Sequence, residues 1–235
     1  FEQIFSEYHH GYDAFVTSSG AGSLEITADL IDLKPGDEVI MVLPNYMQVP
    51  GLAKNLGATV KTISLKESLE WHLDLDELAS TVTEKTKLIS ICNPSNPTGA
   101  VMTNDEMKSI AAIAEKHGAY VLSDEVYRGS ELDGNETKSF IDFYDKSIVS
   151  CGLSKSFAHP GLRIGWLIAS PEVIQNIWTR KDYTTLCASV ISQEIGTKIM
   201  TMPTREKILG RSSKMLTENL ELFLSWLNNH DDLFT

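Results

Sequence analysis

Several positions in this chain carry side chains suited to holding a flat, charged organic group and reacting with it. Lys155 lies in Gly152-Leu153-Ser154-Lys155, among small and apolar neighbours. In such surroundings desolvation and nearby charge can strip the proton from an amine, and a free amine forms a Schiff base with a carbonyl. Arg163 follows eight residues later in Pro160-Gly161-Leu162-Arg163-Ile164-Gly165, and its guanidinium offers a fork for a phosphate. Asp124 closes an apolar run, where a carboxylate can hold positive charge on a ring nitrogen, and Tyr127 comes three residues after it. Asn96 sits in Asn93-Pro94-Ser95-Asn96-Pro97-Thr98-Gly99. Two prolines and a glycine fix that backbone, so the amide is held rigidly enough to bond a hydroxyl or a phenolate. Tyr46, in Pro44-Asn45-Tyr46, can stack on a ring face. Gly20-Ala21-Gly22 supplies free backbone N–H groups ahead of a helix, a phosphate-friendly arrangement. Glu25 occupies the third glycine position of the dinucleotide fingerprint, and no Walker lysine follows. Taken singly, each feature has a plainer alternative: a turn, a core tyrosine, a helix cap or a surface cation.

What these positions share is their placement at the ends of apolar runs. Strands are predicted at residues 14–17, 38–43, 59–64, 87–92, 119–123, 147–151 and 164–169. Helical spacing occupies about 23–33, 49–56, 76–81, 103–117, 186–200 and 204–229, and Ser170-Pro171 opens a further helix as N-cap and first-turn proline. Thr103 and Glu106 have the capping-box spacing, and Gly118 is a good terminator. Residues 128–138 read as a loop. Strands alternating with helices predict an α/β fold, three layers α/β/α around a mostly parallel sheet. In such sheets ligands sit at the carboxyl ends of the strands.

Composition narrows the function. The chain has 235 residues with 20 Lys+Arg against 32 Asp+Glu, a formal charge of −12. That argues against bulk attraction to nucleic acid or an anionic membrane. Hydrophobic residues make up 42%, enough for a sizeable core. No apolar run reaches the roughly 18 residues of a membrane span, and no signal peptide is visible. Cys92, Cys151 and Cys187 are odd in number and far apart, which suggests neither a disulfide framework nor a metal site and points to the cytoplasm.

Together, the Gly20-Ala21-Gly22 turn, Asn93 to Gly99, Asp124-Glu125-Val126-Tyr127, and Ser154-Lys155 with Pro160-Gly161-Leu162-Arg163 resemble the fold-type-I aminotransferases, the pyridoxal-phosphate enzymes related to aspartate aminotransferase. The resemblance covers nearly the whole chain. It implies that Lys155 forms the internal aldimine and shuttles the substrate proton, and that Asp124 keeps the ring nitrogen protonated. It further implies that Asn96 and Tyr127 bond the ring oxygen and that Tyr46 stacks on the ring. Gly20, Ala21, Gly22, Ser154 and Arg163 would hold the phosphate. Many relatives carry a hydroxyl three residues before the lysine, where this chain has Gly152. Pro44-Asn45-Tyr46-Met47-Gln48, Asp124 to Gly129 and Lys181-Asp182-Tyr183-Thr184-Thr185 look like the capreomycidine synthase-like subgroup. The implied substrates are an amino acid and a 2-oxo acid, and the implied assembly is a homodimer. Residues 1–202 correspond to the cofactor-binding large domain and 203–235 to a helix leading into a small domain. Family members are longer, and no residue here matches their substrate-carboxylate arginine. A carbon–sulfur lyase or cyclase would share every cofactor residue, and some transcription regulators use the same domain as a ligand sensor. A nicotinamide-binding domain would leave Lys155 and Arg163 unexplained.

Overall fold

The computed structural model describes residues 2, 12–20, 22–24, 27, 31–181, 186–230 and 233. Its centre is one seven-stranded sheet: β1 (Asp13–Thr17), β2 (Glu38–Leu43), β3 (Thr59–Ser64), β4 (Thr86–Cys92), β5 (Tyr120–Asp124), β6 (Ser147–Gly152) and β7 (Gly165–Ala169). Their spatial order is β1-β7-β6-β5-β4-β2-β3. The pairs β2–β3, β2–β4, β4–β5 and β5–β6 are parallel. β7 runs antiparallel to both β6 and β1. The reason lies in the connection: residues 153–164 contain only the short 3-10 turn Pro160–Leu162, and a parallel return would need a crossover helix.

The helices are α1 (Gln48–Asn55), α2 (Leu75–Thr81), α3 (Asn104–His117), α4 (Pro171–Lys181), α5 (Val190–Met200) and α6 (Met202–Leu227). Successive strand residues point to opposite faces of the sheet, and the core divides accordingly. Ile40, Ile89, Val121, Val149 and Trp166 pack into one cluster with Leu78 of α2, Met107 and Ile110 of α3, and Ile199 of α5. Val39, Leu88, Leu122, Ile148 and Leu167 pack into the other with Val49 and Ala53 of α1 and Ile174 and Ile177 of α4. This is the expected three-layer arrangement. The interior strands are covered on both sides, which explains why they read as continuous apolar runs.

Local signals set several boundaries. Thr103 caps α3 by accepting from the Glu106 N–H at 3.2 Å, while the Glu106 carboxylate accepts from the Thr103 N–H at 2.7 Å. Gly118 ends the helix at φ 66°, in the left-handed region. One expectation is corrected: the helix expected from residue 186 starts at Val190. Leu186 has φ 58° and Ser189 is extended with ψ 130°, and neither conformation continues a helix. The helix expected at 23–33 lies partly outside the described residues. Within it Gly22, Ser23, Leu24 and Thr27 are helical.

Candidate active site

Five strand ends, those of β1, β2, β4, β5 and β6, and the connections that leave them meet at a cleft of about 350 Å³. β5 ends on Asp124, level with Cys92 of β4 and Ser150 of β6. Asp124 therefore sits at the base of the cleft, in the middle of the sheet. Its described hydrogen bond is weak, an acceptance from the Val126 N–H at 3.3 Å. Burial raises its pKa from 3.8 to about 6, against the lowering effect of that bond and of Lys155. A carboxylate this poorly satisfied is poised for a positively charged or N–H-bearing partner.

The β4 end supplies one wall. Asn93 is buried and organises the turn: its N–H donates to the Asp124 carbonyl at 3.0 Å, and its side-chain oxygen accepts from the Met102 N–H at 2.9 Å. The Gly99 N–H donates to the Ser95 carbonyl at 3.0 Å and the Ser95 N–H to the Ala100 carbonyl at 2.9 Å, closing the loop. Gly99 adopts φ 75°, which favours glycine. The rigid turn presents Asn96, whose Nδ2 donates to the Tyr127 hydroxyl at 3.0 Å. Cys92 donates its thiol to the Pro94 carbonyl at 3.2 Å, and burial together with Asp124 pushes its pKa up to about 12. It is a protonated wall of the cleft, not a nucleophile.

β6 delivers Ser154 and Lys155. Lys155 is exposed in the open cleft, with Nζ 5.7 Å from the Tyr127 ring centroid. This corrects the expectation that apolar neighbours desolvate it: Leu153 and Phe157 are buried in the core, and the amine projects away from them. Ser156 ties the lysine's loop to the turn after Asp124, with N–H and Oγ donating to the Val126 carbonyl at 3.4 and 3.0 Å. Arg163 adopts φ 51°, ψ 54°, an unfavourable backbone for a non-glycine residue. Its NH1 donates to the Pro160 carbonyl at 2.9 Å, and the side chain lines the cleft beside Ser154 and Gly20.

The glycine-turn end rests on a close backbone approach. A Cβ on Gly165 would come within 2.4 Å of the Gly20 nitrogen, and one on Gly152 within 3.2 Å of the Ile164 carbonyl. These two glycines let the Ser19-Gly20 turn lie flat against the start of β7. Gly22 does not line the cleft, and its N–H donates to the Ser19 hydroxyl at 3.1 Å, an N-cap bond. Ala21 lies outside the described residues. Tyr46 is 59% exposed at the rim, which excludes a core role for it.

The cleft thus gathers Gly20, Tyr46, Asn96, Asp124, Tyr127, Ser154, Lys155 and Arg163. Ser19, Asn45, Cys92, Asn93, Ser156 and the Gly152–Gly165 pair escaped the sequence reading. Of these only Gly165 had a usable signal, the Gly161-Leu162-Arg163-Ile164-Gly165 run that carries Arg163. The arrangement is polarised. One end offers a guanidinium, a hydroxyl and a glycine turn, suited to a phosphate. The base offers an acid, and the side a paired amide and phenol. A primary amine stands between them. Among the described residues no three metal-ligating side chains come together, and no helix is long and apolar enough to cross a membrane.

Residues 1–234 match the family model for aminotransferases of class I and II. A probable N-acetyl-LL-diaminopimelate aminotransferase of Bacillus subtilis is 37% identical over 198 residues, 81% of this chain and 49% of the relative. A probable aspartate aminotransferase of Methanocaldococcus jannaschii is 32% identical over 187 residues, 77% of this chain and 49% of the relative. The chain spans about half the length of the curated relatives it matches. Among solved structures, a PLP-dependent aminotransferase from Streptococcus suis superposes with a TM-score of 0.89 at 34% identity, covering 97% of this chain and 60% of that one. Aspartate aminotransferase from Thermus thermophilus, with maleate, superposes with a TM-score of 0.87 at 26% identity, covering 92% and 56%. With this sheet, this cleft and these relatives, the chain belongs to the class I and II aminotransferases.

Proposed function

We propose that this chain forms the cofactor-binding part of a pyridoxal-phosphate-dependent aminotransferase that moves an amino group between an amino acid and a 2-oxo acid. The observation that carries the reading is the convergence of Asp124, Lys155 and Arg163 from separate strand ends on one cleft. The donor set fits the cofactor's three chemical ends. Arg163, Ser154 and the glycine turn suit its phosphate. The under-satisfied Asp124 suits its ring nitrogen, and the amine of Lys155 suits its aldehyde. When bound, pyridoxal phosphate supplies an electron sink that weakens the bonds at the amino acid's α-carbon.

The chain's own residues then have distinct tasks. Asp124 keeps the ring nitrogen protonated by placing a carboxylate beside it in a half-buried site. Asn96 and Tyr127, already bonded to each other, would bond the ring oxygen. Tyr46 would stack on the ring. Lys155 would hold the cofactor through Nζ and would accept and return the substrate's α-proton at the same atom. Arg163 and Ser154 would anchor the phosphate together with Gly20.

The same reading takes residues 1–202 as the large domain, 203–235 as the helix leading into a second domain, the intact protein as a cytoplasmic homodimer, and the chain as similar to the capreomycidine synthase-like subgroup. Borohydride reduction of the full-length protein with pyridoxal phosphate, followed by peptide mapping, tests the central point. The label is expected on Lys155 and absent from Lys155→Ala, and a label elsewhere refutes the assignment. Consumption of a 2-oxo acid acceptor distinguishes amino transfer from elimination or cyclisation, which leave the acceptor untouched.

A further inference from the structure

Behind the cleft, four charged side chains connect the residue after Asp124 to the longest helix. Glu125 is 3% exposed and turns away from the cleft. Its Oε1 accepts from the Ser123 and Ser139 hydroxyls, each at 3.1 Å, and from the Phe140 N–H at 2.8 Å. Its Oε2 faces Arg128 NH1 at 3.8 Å. Arg128 donates Nε to the Thr137 carbonyl at 2.6 Å and places NH2 3.2 Å from Glu136. The same Glu136 oxygen accepts from Arg205 NH2, in the first turn of α6, at 2.6 Å. The Arg128, Glu136 and Arg205 side chains are 15%, 27% and 11% exposed. This alternating row of carboxyl and guanidinium groups is therefore largely shielded from solvent and counter-ions, where electrostatic coupling is strong.

Two further contacts hold α6 against the site. The Arg205 guanidinium lies 5.9 Å from the centroid of Phe157, two residues after Lys155. The Leu209 side chain presses on Gly129, where a Cβ would come within 3.0 Å of it. Gly129 has φ 87° and follows the Asp124 turn. The start of α6 thus touches both segments that carry the candidate chemistry, the 124–130 turn and the 154–158 loop. Farther along, the helix exposes Leu222, Phe223, Leu224 and Trp226.

We propose that Glu125, Arg128, Glu136 and Arg205 form a positioning relay through which helix α6 fixes the orientation of Asp124 and Lys155. Arg205 is the positioning residue at its outer end. It acts on the Asp124 turn through Glu136 and Arg128 and on the lysine loop through Phe157. The kinetic consequence rests on the aminotransferase reading, whereas the structural consequence does not. A charge row with an end removed leaves Glu136 to compete for Arg128, which then moves away from Glu125 and loosens the turn.

The test uses the full-length protein with Arg205→Gln, Arg205→Lys, Glu136→Gln and the Gln/Gln double variant. On the cofactor-free proteins, hydrogen–deuterium exchange is expected to quicken about threefold or more in peptides covering 124–130 and 154–158, and to stay unchanged in 38–43. With cofactor and substrates, Arg205→Gln is expected to lower kcat about tenfold while KM moves less than about twofold. The double variant should be no worse than the worse single one, because both break the same row. Arg205→Lys should recover most of kcat. Exchange confined to peptides around 136 and 205, with kcat within twofold of wild type, would overturn the relay. If Arg205→Gln does not fold, wild-type exchange at 124–130 in Glu136→Gln overturns it equally. A wild-type protein that binds no pyridoxal phosphate refutes the functional reading, and the cofactor-free exchange comparison still decides the relay.

Discussion

Asp124 and Glu125 are neighbours in sequence, yet they leave the end of β5 toward opposite sides and meet opposite conditions. Burial raises both carboxyl groups, Asp124 to about 6 and Glu125 to about 7. Glu125 is answered by three protein donors on one oxygen and by Arg128 near the other. Asp124 has one long backbone bond. A buried charge is costly unless it is paired, so the two groups differ in where their partner comes from. The fold bonds one Glu125 oxygen with three donors and sets Arg128 3.8 Å from the other, which has no hydrogen bond, whereas Asp124 is left for something that enters the cleft. The acid with one weak bond marks the site, and the acid held by three donors marks its support.

The comparison is broken most directly by exchanging the two groups' chemistry for neutral ones. Asp124→Asn is expected to lower kcat on the order of 10²–10³-fold, because an amide cannot hold a ring nitrogen as a cation, while the protein still folds and retains cofactor. Near-normal turnover with cofactor bound would remove Asp124 from the chemistry. Glu125→Ala should act in the other sense. It strands two hydroxyls, the Phe140 N–H and Arg128, and should cost about 3 kcal/mol of stability by denaturant titration. A loss below about 1 kcal/mol would show that Glu125 is not held by the fold in the way described.

A third change sharpens the contrast at the phosphate end. Gly165→Ala puts a methyl group into the backbone of Ser19-Gly20, so it should cost about 2 kcal/mol and weaken cofactor binding more than it weakens the sheet. Isothermal titration with pyridoxal phosphate, alongside melting, separates the two effects. Unchanged affinity would mean that the glycine turn plays no part in binding.

The smallest expected effect is on pH dependence. Asp124 has a folded pKa raised above the unfolded value of about 3.9, so its contribution to stability is full below about pH 4 and is lost as pH rises toward 6. In cofactor-free protein at pH 7, Asp124→Asn should therefore raise stability by about 1–2 kcal/mol, with the gain vanishing at pH 4. A variant equally stable to wild type at both pH values would show that the cleft leaves Asp124 well solvated.

How much of this was legible in the residues follows from the range of the interactions involved. The strands were readable because strands covered on both faces must be apolar throughout, and α3 because its caps, Thr103 with Glu106 and then Gly118, act within a few residues. The antiparallel setting of β7 was not readable, since it depends on residues 153–164 being too irregular to form a crossover helix. Lys155 was identified by type and position, but its exposure was not. Whether neighbours such as Leu153 and Phe157 surround an amine or turn into the core depends on packing from other parts of the chain.

The sequence by itself determined which side chains are available at the strand ends and what chemistry they could perform: an amine, an acid, a guanidinium, an amide with a phenol, and a glycine turn, in an order shared with a known family. Only the tertiary structure decided which of them face one cleft. It turned Asp124 inward with a single bond and Glu125 backward with three. It spent the Gly22 N–H on Ser19 and brought Arg205 against Glu136 from 69 residues away. The physical reason is that a buried polar group's state is set by its whole surroundings, through desolvation and the partners within about 3 Å. In a sheet of order β1-β7-β6-β5-β4-β2-β3, those surroundings come from strands far apart in sequence.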